Sequence, residues 1–326
     1  MQAFEYASPT SVKEAVDMLS SNWGETDVLA GGTDLISLMK EYLHTPKRVV
    51  NIKGIRELGG IRKSGGGLRI GATVTIDELA ESAPVRAEYP SLVHAALGIT
   101  SPQIRNMGTV GGDLCQRPRC WYFRQGFGLL GIENGASLIP DGENKYHAIF
   151  PHPPAYYVNP SSLAPALIAL GAKVKLTGPG GSRELPVEQL YTIPKDNNSR
   201  ETVLAPNEIL TEIIVPSAKG VRNATYEVRQ KEALDWPLSA AAVALKMKGT
   251  TISSARIVLG HVGPTPVIAG EAERMLAGKS LNQNLAAEAG KAAVSGAKPL
   301  SENAYKLQLT RVAVKRALME AAGLKA

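Results

Sequence analysis

The chain has 326 residues, of which 44% are hydrophobic, 20% charged and 5% aromatic, with 32 glycines and 21 prolines. That length can bury one large core or two modest ones, and the glycine and proline content speaks against an all-helical protein and for a mixed α/β fold with many turns. The formal net charge of +6 comes from 36 basic and 30 acidic residues, and a surplus this thin, with no dense Lys/Arg block, excludes a nucleic-acid-tracking arm.

The first fifty residues read as β-α-β-α-β. A short strand is expected at 4–6. Ser11-Val12-Lys13-Glu14 fits a capping box, in which a Ser hydroxyl and a Glu carboxylate three residues on each accept an N–H left free at a helix start. The helix it opens runs to about residue 19. An apolar strand over 27–30 ends in Gly31-Gly32, a helix follows over about 35–42, and 48–51 is the next strand. Residues 61–63 and 68–70 flank Ser64-Gly65-Gly66-Gly67 as a hairpin. Thr75-Ile76-Asp77-Glu78 is a second capping box at the head of a short helix, and 90–97 is apolar and helical.

Residues 104–113 read as a glycine-rich loop, and 117–160 as irregular. Trp121, Tyr122 and Phe123 are expected to anchor that long stretch, and Arg117, Arg119 and Arg124 to be solvated loop charges. Helix returns at 163–170, a strand at 173–176 and a turn at 178–181. From about residue 218 the texture changes. Three antiparallel strands are expected at 224–230, 239–248 and 252–259, followed by helices at 285–297 and 302–322. In the last helix Ala304, Leu307, Val314, Ala317, Leu318 and Ala321 share one stripe at helical spacing. His261 reads as part of a structural turn, and a domain boundary is placed near Lys219.

Two loops carry the chemical signal. Ala30-Gly31-Gly32-Thr33-Asp34-Leu35 joins a strand to a helix, and Thr109-Val110-Gly111-Gly112-Asp113 lies in the second stretch. Consecutive residues without a Cβ let backbone N–H groups approach a ligand, and a helix start favours an anion. Two such loops from separate parts of a chain would grip a pyrophosphate from both sides. Neither is a Walker loop, and neither has the third glycine of the dinucleotide fingerprint.

These residues resemble a known family. Residues 30–35 are similar to the first flavin-diphosphate loop of the FAD-binding medium subunits of molybdenum hydroxylases, the group that includes carbon monoxide dehydrogenase, xanthine dehydrogenase, aldehyde oxidoreductase and 4-hydroxybenzoyl-CoA reductase. Arg105-Asn106-Met107-Gly108-Thr109-Val110-Gly111-Gly112-Asp113 resembles the second loop, and residues 226–244 resemble the start of the family's C-terminal domain. The resemblance implies an α+β chain of the vanillyl-alcohol-oxidase (PCMH-type) FAD-binding fold. Two α/β subdomains, at about 1–55 and 56–218, would clasp FAD, and residues 219–326 would form a three-stranded antiparallel sheet with a helical bundle.

The resemblance also implies the chemistry. Substrate is oxidised at a molybdopterin centre on a large partner subunit. Electrons pass through 2Fe–2S clusters on a small partner subunit to FAD on this chain, and leave to NAD, ferredoxin, a quinone or oxygen. The cofactor carries the redox chemistry, so no catalytic triad is expected. Carried over residue by residue, the FAD-binding positions are Val28, Leu29, Ala30, Gly31, Gly32, Thr33, Asp34, Leu35, Asn106, Thr109, Gly111, Gly112 and Asp113. Ser162 stands where the family usually has an Asp, and Lys231 is the nearest candidate for the Lys or Arg that the family often has near the flavin ring in residues 226–235. That departure at Ser162 keeps a structural subunit with weak or no flavin binding open as an alternative. A stand-alone reductase of the same superfold is a second alternative.

The two cysteines, Cys115 and Cys120, are too few for a secreted disulfide scaffold of this size. Cys120 falls where one branch of the family has the first ligand of an additional four-iron cluster. No cysteine follows it, and a cubane cluster needs four thiolates, so neither a cluster nor another metal is expected here. The opening residues lack the regions of a signal peptide and no apolar run reaches the length of a membrane span, which makes the cytoplasm the expected compartment.

Overall fold

The computed structural model describes residues 1–231 and 235–325. The N-terminal fifty residues form β1 (Glu5–Ala7), α1 (Val12–Asp17), β2 (Thr26–Leu29), α2 (Leu35–Lys40) and β3 (Arg48–Asn51). The three strands make a parallel sheet in the order β1-β3-β2, with Val49 and Val50 of the middle strand buried. Only half of the first capping box forms. The Ser11 hydroxyl accepts the Glu14 N–H, but the Glu14 carboxylate turns back to the N–H and hydroxyl of Thr10.

The middle of the chain runs β4 (Ile61–Ser64), β5 (Gly67–Gly71), α3 (Ile76–Glu81), α4 (Ala83–Glu88), α5 (Pro90–Leu97), α6 (Pro102–Met107), α7 (Val110–Cys115), α8 (Trp121–Arg124), β6 (Ile132–Glu133), β7 (Ala136–Ser137), α9 (Leu163–Ala169), β8 (Lys173–Gly178), β9 (Gly181–Pro186) and β10 (Ile209–Val215). The expected glycine-rich loop at 104–113 is instead the end of α6, a two-residue break and α7. The Ser101 and Thr109 hydroxyls cap the two helices by accepting the Ile104 and Gly112 N–H groups. At Thr75 the capping box is complete in both directions. Thr75→Ala is expected to lower unfolding stability by about 1 kcal/mol, measured by urea titration.

β10 enters late in the sequence yet sits in the centre of an antiparallel sheet ordered β4-β5-β10-β8-β9. The sequence pattern missed it because Glu212 interrupts the apolar run. In the fold Glu212 is buried and ion-paired with Arg62 and Arg69. The largest core runs from this sheet through α3, α5 and α9 and continues past residue 218 into Ala242, Ala244 and Val258. All seven residues of α9 are buried.

The C-terminal part is β11 (Val221–Arg229), β12 (Pro237–Lys248), β13 (Thr251–Gly260), β14 (Val267–Ile268), α10 (Gly270–Leu276), α11 (Gln283–Ala292) and α12 (Tyr305–Ala322). The expected three strands gain a short fourth, β14, which pairs with β13, and α10 is an additional helix. On α12, Val314, Ala317, Leu318 and Ala321 are buried as the stripe requires, while Ala304 is exposed before the first turn. The polar Lys306 and Thr310 are buried beside them. In the irregular stretch Phe123 is buried and Tyr122 half-buried, while Trp121 is exposed and meets Tyr146 edge-on. Among the described residues, no helix is long and apolar enough to cross a membrane.

Candidate functional site

A cleft of about 650 Å3 is walled by residues 26–38 on one side, by 99–119 on another and by 200–210 on a third. The N–H groups of Gly31, Gly32, Thr33 and Asp34 border it, and among the described residues none of the four donates to another group of the chain. Four consecutive free donors at the start of α2 form a ready anion cradle.

The second loop works differently from expectation. Its Val110 N–H donates to the Val74 carbonyl, Gly111 N–H to the Ala72 carbonyl and Gly112 N–H to the Thr109 hydroxyl. These amides are spent inside the protein, so the two loops do not present matching donor sets. Their glycines serve close packing instead. A Cβ on Gly31 would lie 2.0 Å from the Met107 carbonyl oxygen, and one on Gly111 would lie 2.9 Å from the Cβ and carbonyl oxygen of Ala72. Gly32 is the loop residue with a left-handed backbone, at φ +74°.

The arginines behind the cleft are not solvated, contrary to expectation. The Asp34 carboxylate accepts the Arg117 N–H at 2.8 Å and the Arg124 guanidinium at 2.8 Å, with Arg119 at 3.3 Å. Arg117 is ion-paired with buried Glu201 and donates to His44 Nε2 at 2.8 Å. That bond fixes the tautomer, so His44 Nδ1 donates to Asp27 at 3.0 Å. Arg117 and Arg124 lie against the Phe123 ring, and Arg119 over Trp236. Arg200, over the Trp23 ring at 4.2 Å, is a fourth cation, and burial pushes its pKa down to about 10. An anion in the cleft therefore meets positive charge held in place by buried carboxylates.

The Asp113 side chain is engaged within the chain. Its carboxylate accepts from the Ser161 hydroxyl, the Leu163 N–H at 3.0 Å and the Gln116 side chain at 3.0 Å. It thereby ties α7 to the start of α9, and burial raises its pKa to about 6.

Of the sequence-assigned residues, Val28, Ala30, Gly31, Gly32, Thr33, Asp34, Leu35, Thr109, Gly111, Gly112 and Asp113 converge on the cleft. The remaining four do not line it. Leu29 belongs to β2, and its carbonyl accepts the Ile52 N–H. Asn106 is exposed on α6, with its amide on the Pro102 carbonyl. Ser162 is buried against Glu227. Lys231 is exposed, with its N–H on Asp235. Residues 232–234, part of the stretch around Lys231, lie outside the described residues. The sequence reading missed Trp23, Arg200 and the 200–210 wall. The one available signal was the largely apolar Ile209–Val215 run that anchors that wall.

Cys115 lines the cleft and Cys120 is buried, with its sulfur 3.2 Å from His147 Nε2. Burial pushes their thiols up to about 12 and about 11, so both stay protonated at neutral pH. Among the described residues no three His, Cys, Asp or Glu side chains converge as a metal site.

Comparison with known proteins places these features in context. Residues 2–218 match the family described as FAD binding domain in molybdopterin dehydrogenase, and residues 224–321 match the CO dehydrogenase flavoprotein C-terminal domain. The chain is 30% identical over 320 residues to the carbon monoxide dehydrogenase medium chain of Hydrogenophaga pseudoflava, covering 97% of this chain and 96% of that one. It is 30% identical over 332 residues to the aldehyde oxidoreductase FAD-binding subunit of Escherichia coli, covering 98% and 99%. A solved carbon monoxide dehydrogenase structure from H. pseudoflava superimposes with a TM-score of 0.77 at 31% identity, covering 99% of this chain and 98% of that chain.

Proposed function

The chain belongs to the family of FAD-binding medium subunits of molybdenum hydroxylases, and from that membership we propose that it carries electrons between a partner subunit's iron–sulfur clusters and an external acceptor. It is an oxidoreductase subunit, and its cofactor is FAD. The single observation that carries the site assignment is the row of free N–H groups at Gly31, Gly32, Thr33 and Asp34 on the cleft wall. The cleft volume of about 650 Å3 falls within the roughly 300–1,000 Å3 of ligand pockets, and its donors and arginines suit a diphosphate.

When bound, FAD supplies the redox chemistry. The chain's own residues do the holding. The first loop's amides receive the diphosphate, Arg117, Arg119 and Arg200 set a positive field, and Asp34 with Glu201 fixes two of those arginines in place. Asp113 and Thr109 keep α7 and α9 in register behind the cleft. Residues 1–218 form the flavin-holding part and 219–326 a second domain packed against it. The partners are a large molybdopterin subunit and a small 2Fe–2S subunit, and the acceptor is NAD, ferredoxin, a quinone or oxygen. Ser162 lies away from the cleft, so its departure from the family's Asp removes no cleft contact, which weakens the case for a flavin-free structural subunit.

The purified chain is expected to show a two-banded flavin spectrum and, on heating, to release about one FAD per chain, as one donor row implies. A chain that stays colourless after incubation with excess FAD would sink this reading.

A further inference from the structure

A second cavity of about 310 Å3 lies beside the first, and Arg119 and Trp236 line both. It is at the small end of the roughly 300–1,000 Å3 of ligand pockets, with room for one ring rather than a dinucleotide. Its walls include Trp121, which meets Tyr146 edge-on at a centroid distance of 5.3 Å.

Three buried side chains on this wall have polar atoms with no partner among the described residues: the Tyr157 hydroxyl, His261 Nε2 and His147 Nδ1. Tyr157 is 1% exposed and His261 3%. An unpaired buried polar group costs about 1–3 kcal/mol, so three on one cavity wall point to a missing partner rather than to chance. His261 is also held in the left-handed region at φ +60°, uncommon for a residue other than glycine.

The polar groups narrow the chemistry. The Lys306 amine is buried at this cavity, where burial lowers its pKa to about 7, and it donates to the carbonyls of His261 at 2.7 Å, His147 at 3.2 Å and Tyr146 at 3.3 Å. Among the described residues no carboxylate lies within ion-pair distance of it. Asp235, the one acid on the wall among the described residues, accepts the N–H groups of Lys231 and Trp236. Both histidines are held neutral, pushed down to about 4 at His147 and about 3 at His261 by burial and by the Lys306 charge. Burial raises the Tyr157 hydroxyl far above its ordinary range, so it remains a proton donor. The cavity therefore offers a phenolic donor, unpaired imidazole nitrogens and aromatic walls.

We propose that this cavity binds a single-ring aromatic carboxylate, with its ring among Trp121, Tyr146 and Trp236 and its carboxylate toward Tyr157 and His261. The site adjoins the cleft assigned to flavin and shares Arg119 and Trp236 with it, so the proposal rests on that assignment for its FAD-loaded test.

The test is calorimetric titration of the FAD-loaded full chain with benzoate, with neutral benzamide as the control. One saturable benzoate site per chain is expected, with benzamide at least tenfold weaker. Tyr157→Phe removes only the unpaired hydroxyl. It is expected to raise the ligand-free melting temperature by relieving that unpaired group, and to weaken benzoate about tenfold, the loss of one hydrogen bond to a charged group. Absence of saturable heat overturns the proposal. So does benzamide binding as tightly as benzoate, or unchanged affinity in Tyr157→Phe.

Discussion

Gly31→Ala is expected to strip FAD from the purified chain, leaving less than about a tenth of wild-type occupancy, and to lower stability by about 2–3 kcal/mol. The reason is the backbone of the other loop. An added Cβ would lie 2.0 Å from the Met107 carbonyl oxygen and 2.7 Å from its carbon. A peptide carbonyl cannot rotate aside as a side chain can. The loops would have to part by about 1 Å, from 2.0 Å to a tight 3.0 Å contact. That displacement moves the donor row that borders the cleft, and misplacement on this scale weakens a site built on aligned hydrogen bonds. Gly54→Ala is the control, because a Cβ there meets nothing within 4 Å. Flavin-to-protein absorbance ratios and urea unfolding read both effects. Full occupancy in Gly31→Ala would mean that the loops do not act as one unit.

Asp113→Asn is expected to change how stability depends on pH. Burial raises the Asp113 carboxyl from 3.8 to about 6 in the folded chain. The folded state therefore binds this proton more readily than the unfolded chain does. The stabilisation linked to this proton is full below pH 4 and is lost as pH rises through 6. Each tenfold difference in proton affinity between the two states is worth about 1.4 kcal/mol, so the unfolding free energy of wild type relative to D113N should fall by on the order of 3 kcal/mol between pH 4 and 6, then level off. Unfolding curves at several pH values for both chains provide the measurement. Parallel pH profiles would show that Asp113 is not the buried titrating group described here.

Local signals in the sequence were readable where a few neighbouring residues decide the outcome. The Thr75 box and helix α5 depend on spacing within one or two turns, and both form as the spacing dictates. Glycine pairs marked both loops, but not what the glycines were for. Gly31 exists for the Met107 carbonyl, 76 residues away along the chain, and no local pattern carries that information. The same holds for the arginines. Arg117 and Arg124 look like solvated charges until Asp34 and Glu201 are brought beside them. Lys306 breaks an apolar stripe and looks exposed, yet three carbonyls from distant turns accept its protons. Most of the residues that the family resemblance assigned to FAD line one cleft, but it also assigned Asn106 and Lys231, which this fold leaves on the surface.

The central place of β10 sets the order in which the molecule can be made. β5 and β8 are synthesised first but cannot pair with each other, because the strand that joins them lies at residues 209–215. The third wall of the cleft, at 200–210, arrives with that strand. A nascent chain therefore leaves the ribosome with an open sheet edge and an incomplete cleft until nearly all of the first 215 residues have emerged. Closing contacts over such separations is slow. For that interval β5 and β8 expose unpaired strand edges, so newly made chain is most vulnerable to aggregation and to proteases before β10 inserts.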